Sequence, residues 1–170
     1  MIRTFIRQQF VSAIEENFGK PDVIAGVATG GIAIGALVAQ EMDLPFVYVR
    51  SEAKKHGLGN QIEGVLNEGQ SVVVIEDLIS TGGSSLKAVQ ALRESKARVA
   101  GMVAIFTYGF DQAKENFQEA KCNLVTLTDY DSLLKQALDA QYITQKQLDT
   151  LKTWRKSPET WSATFEMSAH

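Results

Sequence analysis

The sequence has 170 residues, 45% of them hydrophobic and 22% charged, with a formal net charge of −3. That is enough chain for one domain with a sizeable core; the acidic balance speaks against a general nucleic-acid binder, and a single cysteine, Cys122, excludes an internal disulfide and fits a reducing compartment. No stretch approaches the roughly 20 apolar residues of a membrane helix, and residues 1–10 lack the apolar core and cleavage pattern of a signal peptide, so the expectation is one cytoplasmic domain, residues 1–170, with no membrane or nucleic-acid partner.

Ile2, Phe5, Ile6, Phe10, Ile14 and Phe18 follow three- and four-residue steps, which predicts an amphipathic helix ended by Gly19 and Pro21. Val23 to Val27 reads as a buried strand, Ala28-Thr29-Gly30-Gly31 as a glycine-rich corner, and Ile32 to Met42 as a helix of small and apolar residues. Pro45 opens a second strand, Phe46 to Val49. Strand, helix and strand in that order imply a right-handed crossover and a parallel pair.

Residues 50–61 break the pattern. Arg50, Lys54, Lys55 and His56 stand close together and are followed by Gly57 and Gly59. A short basic run is usually a solvated face. Flanking glycines and the absence of apolar periodicity instead suit a mobile, lid-like loop. Gln61 to Gly64 resumes order as a short strand paired with Tyr48 to Arg50, and Glu68-Gly69-Gln70 turns the chain into its central segment.

That segment, Val72 to Ser84, has three parts. Val72 to Ile75 is a run of β-branched residues, the pattern of a buried parallel strand. Glu76 and Asp77 are adjacent carboxylates at its carboxyl end, where open α/β sheets place their ligands. Ser80-Thr81-Gly82-Gly83-Ser84 leads into a helical pattern from Leu86, and such a turn presents backbone N–H groups to a phosphate. Glycine in a strand-to-helix turn is common and carries little alone. Two acids followed by hydroxyls and paired glycines point to one ligand with both a sugar and a phosphate.

Downstream, Leu86, Val89 and Leu92 form the core face of a helix through Ser95, and Val99 to Phe106 a further strand. Asp111 is expected to cap a helix reaching about Ala120, and Cys122 to be a core residue ahead of the strand Leu124 to Leu127. Asp131-Ser132 is read as the start of the next helix. Thr144 caps the last one, which Ser157-Pro158 stops. Trp154 and Trp161 are packing residues in this reading. Alternating strands and helices give an α/β class.

The central segment resembles the phosphoribosyl-diphosphate (PRPP) signature of the type I phosphoribosyltransferases, and within them the orotate phosphoribosyltransferases. Gly26 to Ile32, Val49-Arg50-Ser51 and His56 to Gly64 resemble that family in the same order. The fold implied is its central, mostly parallel sheet flanked by helices with a flexible catalytic loop. The implied reaction transfers the phosphoribosyl group of PRPP to orotate, giving orotidine 5′-monophosphate and diphosphate, with Mg²⁺ carried on PRPP rather than by a dedicated protein site.

By the same resemblance, Lys54, His56 and Asp77 are catalytic. PRPP is held by Arg50, Lys54, His56, Glu76, Asp77, Leu78, Ile79, Ser80, Thr81, Gly82, Gly83 and Ser84, with Thr29 and Gly30 lying against its diphosphate. Ser80 also touches orotate. The loop 50–61 completes the neighbouring site of a homodimer. Some members carry Lys at the position of Ser51, and members usually carry a further N-terminal segment that hoods the base, for which this sequence has no counterpart. Two alternatives stay open: a non-catalytic PRPP- or nucleotide-binding regulator, and a transferase for another base. The basic loop favours the enzyme, and the phrase 56–64 favours orotate.

Overall fold

The structure, a computed structural model, describes residues 1–50 and 61–161. The chain divides into two compact units, Met1–Leu127 and Thr128–His170.

The first unit is built on a sheet whose strands are β1 (Val23–Val27), β2 (Phe46–Val49), β3 (Ile62–Glu63), β4 (Ser71–Ile79), β5 (Arg98–Thr107) and β6 (Leu124–Asp129), in the order β3-β2-β1-β4-β5-β6. All five residues of β1 are buried, as a strand covered on both faces requires. Successive residues of a strand point to opposite faces, and β4 shows the consequence. Val72 and Val74 join one core cluster with Ala88, Val89 and Leu92 of α3 (Gly83–Glu94) and Phe117 of α4 (Asp111–Glu119). Val73 and Ile75 join another with Phe10 and Ile14 of α1 (Ile2–Phe18) and Val38, Ala39 and Met42 of α2 (Gly30–Met42). Truncating the fully buried Ile75 to Ala would cost about 2–5 kcal/mol.

β1 pairs in parallel with both β2 and β4, and β4 with β5. The chain steps from β1 to β2 in one direction and from β4 to β5 in the other. The gap between the carboxyl ends of β1 and β4 is therefore the topological switch point, where open α/β sheets bind ligands.

The elements follow the sequence reading, with differences at several boundaries and caps. β4 does not stop at Ile75; it reaches Ile79, because β5 supplies partners that far, Leu78 to Phe106 and Ile79 to Thr107. The two acids thus lie within the strand rather than after it. α3 begins at Gly83, three residues before Leu86. β3 pairs with β2, as expected of the short strand, and does so antiparallel, with Tyr48 opposite Glu63 and Val49 opposite Ile62. Asp111 is not a cap: Phe110 holds the N-cap position of α4, and the Asp111 carboxylate pairs with Lys114 at 3.0 Å. Cys122 is buried in the first cluster.

The second unit carries α5 (Tyr130–Asp139), α6 (Gln145–Lys156) and a 3₁₀ turn, Pro158–Thr160. α5 starts one residue before Asp131, and Asp129 caps it by accepting the Ser132 N–H at 2.8 Å. Thr144 caps α6 as expected, in a reciprocal capping box with Gln147. Trp154 packs against Tyr130, ring centres 5.6 Å apart, and Arg155 lies over the same Tyr130 ring while pairing with Asp131 at 2.8 Å. Among the described residues no helix is long and apolar enough to cross a membrane.

Candidate active site

The site is built where the switch point dictates. The glycine-rich corner after β1 and the acids of β4 are far apart in sequence and touch in space. A Cβ added to Gly30 would fall inside the Asp77 carboxylate, so only glycine lets that carboxylate lie against the first turn of α2. Thr29, the N-cap residue of α2, is exposed, makes no side-chain cap, and follows a cis peptide bond from Ala28.

The two adjacent carboxylates have opposite surroundings, as the strand's twofold period demands. Glu76 continues the face of Val72 and Val74, toward α3. It is 5% exposed; its Oε1 accepts the Asp77 backbone N–H at 2.9 Å and its Oε2 accepts the Ser85 hydroxyl at 2.8 Å. Burial pushes its pKa up to about 7, the neighbouring Asp77 carboxyl adding to the rise while the Ser85 hydroxyl and the Asp77 N–H oppose it. Asp77 is exposed beside Gly30. Of the pair, Asp77 is the carboxylate exposed to a ligand.

Beyond Asp77 exposure continues for one residue. Leu78 is 40% exposed, whereas the Ile79 side chain is fully buried and its carbonyl accepts the Tyr108 N–H at 3.1 Å. Ser80, Thr81, Gly83 and Ser84 are exposed. Gly82 sits in the left-handed region, φ 80°, and a Cβ there would strike the Phe117 ring; both facts require glycine. Gly82 is the N-cap of α3, and no side chain caps that helix. Its first-turn N–H groups therefore point out of the helix end, which carries the positive pole of the helix dipole. A left-handed residue followed by helical ones gathers successive N–H groups into an anion-binding concavity.

Arg50 follows β2, with its N–H on the Gln61 carbonyl at 2.9 Å and its guanidinium 3.6 Å from Glu63. It ends β2 on the same edge of the parallel sheet as the β1 corner and Asp77. Among the described residues no group of three or more His, Cys, Asp or Glu converges as a metal cage would. The donor present, an exposed carboxylate at Asp77, is a hard oxygen ligand that fits Mg²⁺ arriving on its substrate's phosphates.

The family model of the phosphoribosyl transferase domain matches residues 5–132 of the chain. The orotate phosphoribosyltransferase of Listeria innocua is 58% identical over 94% of this chain and 77% of its own length, and that of Phocaeicola vulgatus 57% identical over 95% and 76%. The chain belongs to the orotate phosphoribosyltransferase family. Among solved structures, orotate phosphoribosyltransferase from Aeropyrum pernix superposes with a TM-score of 0.71 at 28% identity, covering 78% of this chain and 74% of that one.

Within this family member, the structure brings Thr29, Gly30, Asp77 and the turn 80–84 to one edge of the sheet. It turns Glu76 and Ile79 inward. Lys54 and His56 lie outside the described residues. Sequence reasoning missed Ser85, which is 2% exposed and closes on Glu76, and it missed two residues of α4 that press on the turn: Phe117 against Gly82, and Asn116, whose side-chain amide donates to the Thr81 carbonyl at 2.9 Å. Ser85 had a faint signal, a hydroxyl on the helix face that the strand's alternation assigns to Glu76. Asn116 and Phe117 had none, since their contacts depend on tertiary packing.

Proposed function

We propose that this protein transfers the 5-phosphoribosyl group from PRPP to orotate, releasing diphosphate and orotidine 5′-monophosphate, in the synthesis of pyrimidine nucleotides in the cytoplasm. A bond forms between orotate N1 and ribose C1′ as N1 gives up its proton to solvent, while the bond from C1′ to the diphosphate oxygen breaks with its electron pair. Positive charge develops on the ribose and negative charge on the diphosphate, so catalysis is chiefly electrostatic.

Asp77 holds the ribose hydroxyls and favours the cationic sugar. The N–H groups of residues 80–84 take the 5′-phosphate, and Ser80 also meets orotate. Thr29 and Gly30 lie along the diphosphate. Arg50, whose fork can grip two oxygens at once, joins Lys54 and His56 in stabilising the departing charge. Glu76 acts from behind, fixing the Asp77 backbone. Asp77 would meet Mg²⁺ arriving with PRPP, and the ion would supply charge neutralisation at the phosphates. In a homodimer the loop 50–61 completes the partner's site. That loop assignment and the dimer rest on family resemblance.

The observation that carries this reading is the meeting of Asp77 and Gly30 beside the uncapped start of α3. The test is orotate consumption, followed by ultraviolet absorbance with PRPP and Mg²⁺ present. Loss of orotate matched by orotidine 5′-monophosphate is expected. PRPP binding without turnover would point to a regulator, and turnover of another base to a different transferase. The shared site has its own test: mixing Lys54→Ala protein with Asp77→Asn protein, under conditions where subunits exchange, restores part of the lost activity. No recovery at any ratio would contradict it.

A further inference from the structure

The turn 80–84 is braced from outside by α4. Asn116 and Gln112 lie one helical turn apart on α4, on one face. The Gln112 amide Nε2 donates to Asn116 Oδ1 at 3.0 Å, and Asn116 Nδ2 donates to the Thr81 carbonyl at 2.9 Å. The chain of donors fixes which way the Asn116 amide faces: a carbonyl can only accept, so Nδ2 must face Thr81 and Oδ1 must face Gln112.

This contact acts on the next residue. Carbonyl and N–H of one trans peptide point in opposite directions. Holding the Thr81 carbonyl toward α4 aims the Gly82 N–H away from α4. The Phe117 ring, one residue along, fills the space a Gly82 side chain would need, and Gly82 stands at φ 80°. Two neighbouring side chains of α4 therefore orient one peptide and pack against the residue after it. Both features belong to the cradle of N–H groups at the start of α3.

We propose that Asn116 is a positioning residue for PRPP: through the Thr81 carbonyl it preorganises the Gly82 N–H for the 5′-phosphate, with Gln112 orienting Asn116. The proposal rests on the reading that residues 80–84 receive that phosphate. Asn116 touches no substrate, so its effect falls on binding of the phosphorylated ribose rather than on the chemical step.

The test uses ribose 5-phosphate, which carries the 5′-phosphate without the diphosphate, as the calorimetric probe, together with steady-state kinetics. Asn116→Asp keeps the shape and replaces the donor by a carboxylate facing the Thr81 carbonyl. It should weaken ribose 5-phosphate binding and raise KM for PRPP by about fivefold to tenfold, the scale of one lost hydrogen bond, with kcat changed less than about twofold on the same scale. Asn116→Ala should lose less than Asn116→Asp, and Gln112→Ala less again. Thermal melting reports whether each variant folds; should Asn116→Asp not fold, Asn116→Ala and Gln112→Ala carry the comparison. Folded variants with unchanged affinity would overturn the proposal. So would losses in kcat that track melting temperature instead of KM. Failure of the wild-type protein to bind ribose 5-phosphate would overturn the phosphate reading itself, a separate outcome.

Discussion

Helix starts in the two units are finished differently. In the second unit, α5 and α6 are closed by their own chain: Asp129 takes the Ser132 N–H, and Thr144 and Gln147 cap each other. In the first unit, α2 and α3 begin without a side-chain cap, although hydroxyl residues stand at Thr29 and Thr81, and both helices follow parallel strands at the sheet's carboxyl edge. A cap contributes about 1 kcal/mol. A helix start that leaves its N–H groups to a phosphate forgoes that and gains a ligand site. The contrast lies between α5 and α6, whose starts the chain satisfies itself, and α2 and α3, whose open starts flank Asp77 at the sheet's carboxyl edge.

The largest test of this contrast is at Asp77. Asp77→Asn keeps the shape and removes the charge beside Gly30. It should lower kcat/KM for PRPP by about 100-fold, on the scale of one lost electrostatic contact to a transition state, with little change in melting temperature. Activity near that of the wild type would remove Asp77 from the ribose.

The neighbouring acid should behave in the opposite sense. The pKa of Glu76 rises from an ordinary 4.5 to about 7 in the folded protein. Between those values the folded state holds the proton that the unfolded state releases, so stability falls as pH rises through this window. Glu76→Gln can still accept from the Asp77 N–H and can donate to Ser85. It should flatten that dependence and, above pH 7, be more stable than the wild type by up to about 3 kcal/mol, the order set by the shift. Parallel stability curves for the two proteins from pH 4.5 to 7.5 would contradict the burial of Glu76 as an acid.

The smallest effect is expected in the second unit. Thr144→Ala breaks the capping box and should cost about 1 kcal/mol in denaturant unfolding while leaving the KM for PRPP unchanged. A raised KM would erase the distinction between caps that hold the fold and starts that hold the ligand.

Much of this was legible in the sequence. The β-branched runs gave β1 and the heart of β4, and Thr144 announced α6. The placement of Asp77 beside Gly30 follows once the glycine corner and the acids are put on neighbouring parallel strands. What the sequence hid depends on partners. β4 extends to Ile79 because β5 runs beside it, which no local pattern in 76–79 encodes. Asp129 rather than Asp131 caps α5, a choice between two acids that local propensity does not separate. The divergent surroundings of Glu76 and Asp77 were readable in principle from the strand's alternation, since Glu76 shares a face with Val72 and Val74. The brace from Asn116 and Phe117 comes from α4, more than 30 residues downstream of the turn, and had no sequence signature.

The most direct measurement is an amide-resolved NMR titration of the protein with PRPP in the presence of Mg²⁺. The account predicts that the N–H signals of Gly82, Gly83 and Ser84 move first and furthest, with Gly30 following, while those of Ser132 and Gln147, already bonded to their caps, stay in place. Saturable shifts at the capped helix starts with the α3 start unmoved would contradict it.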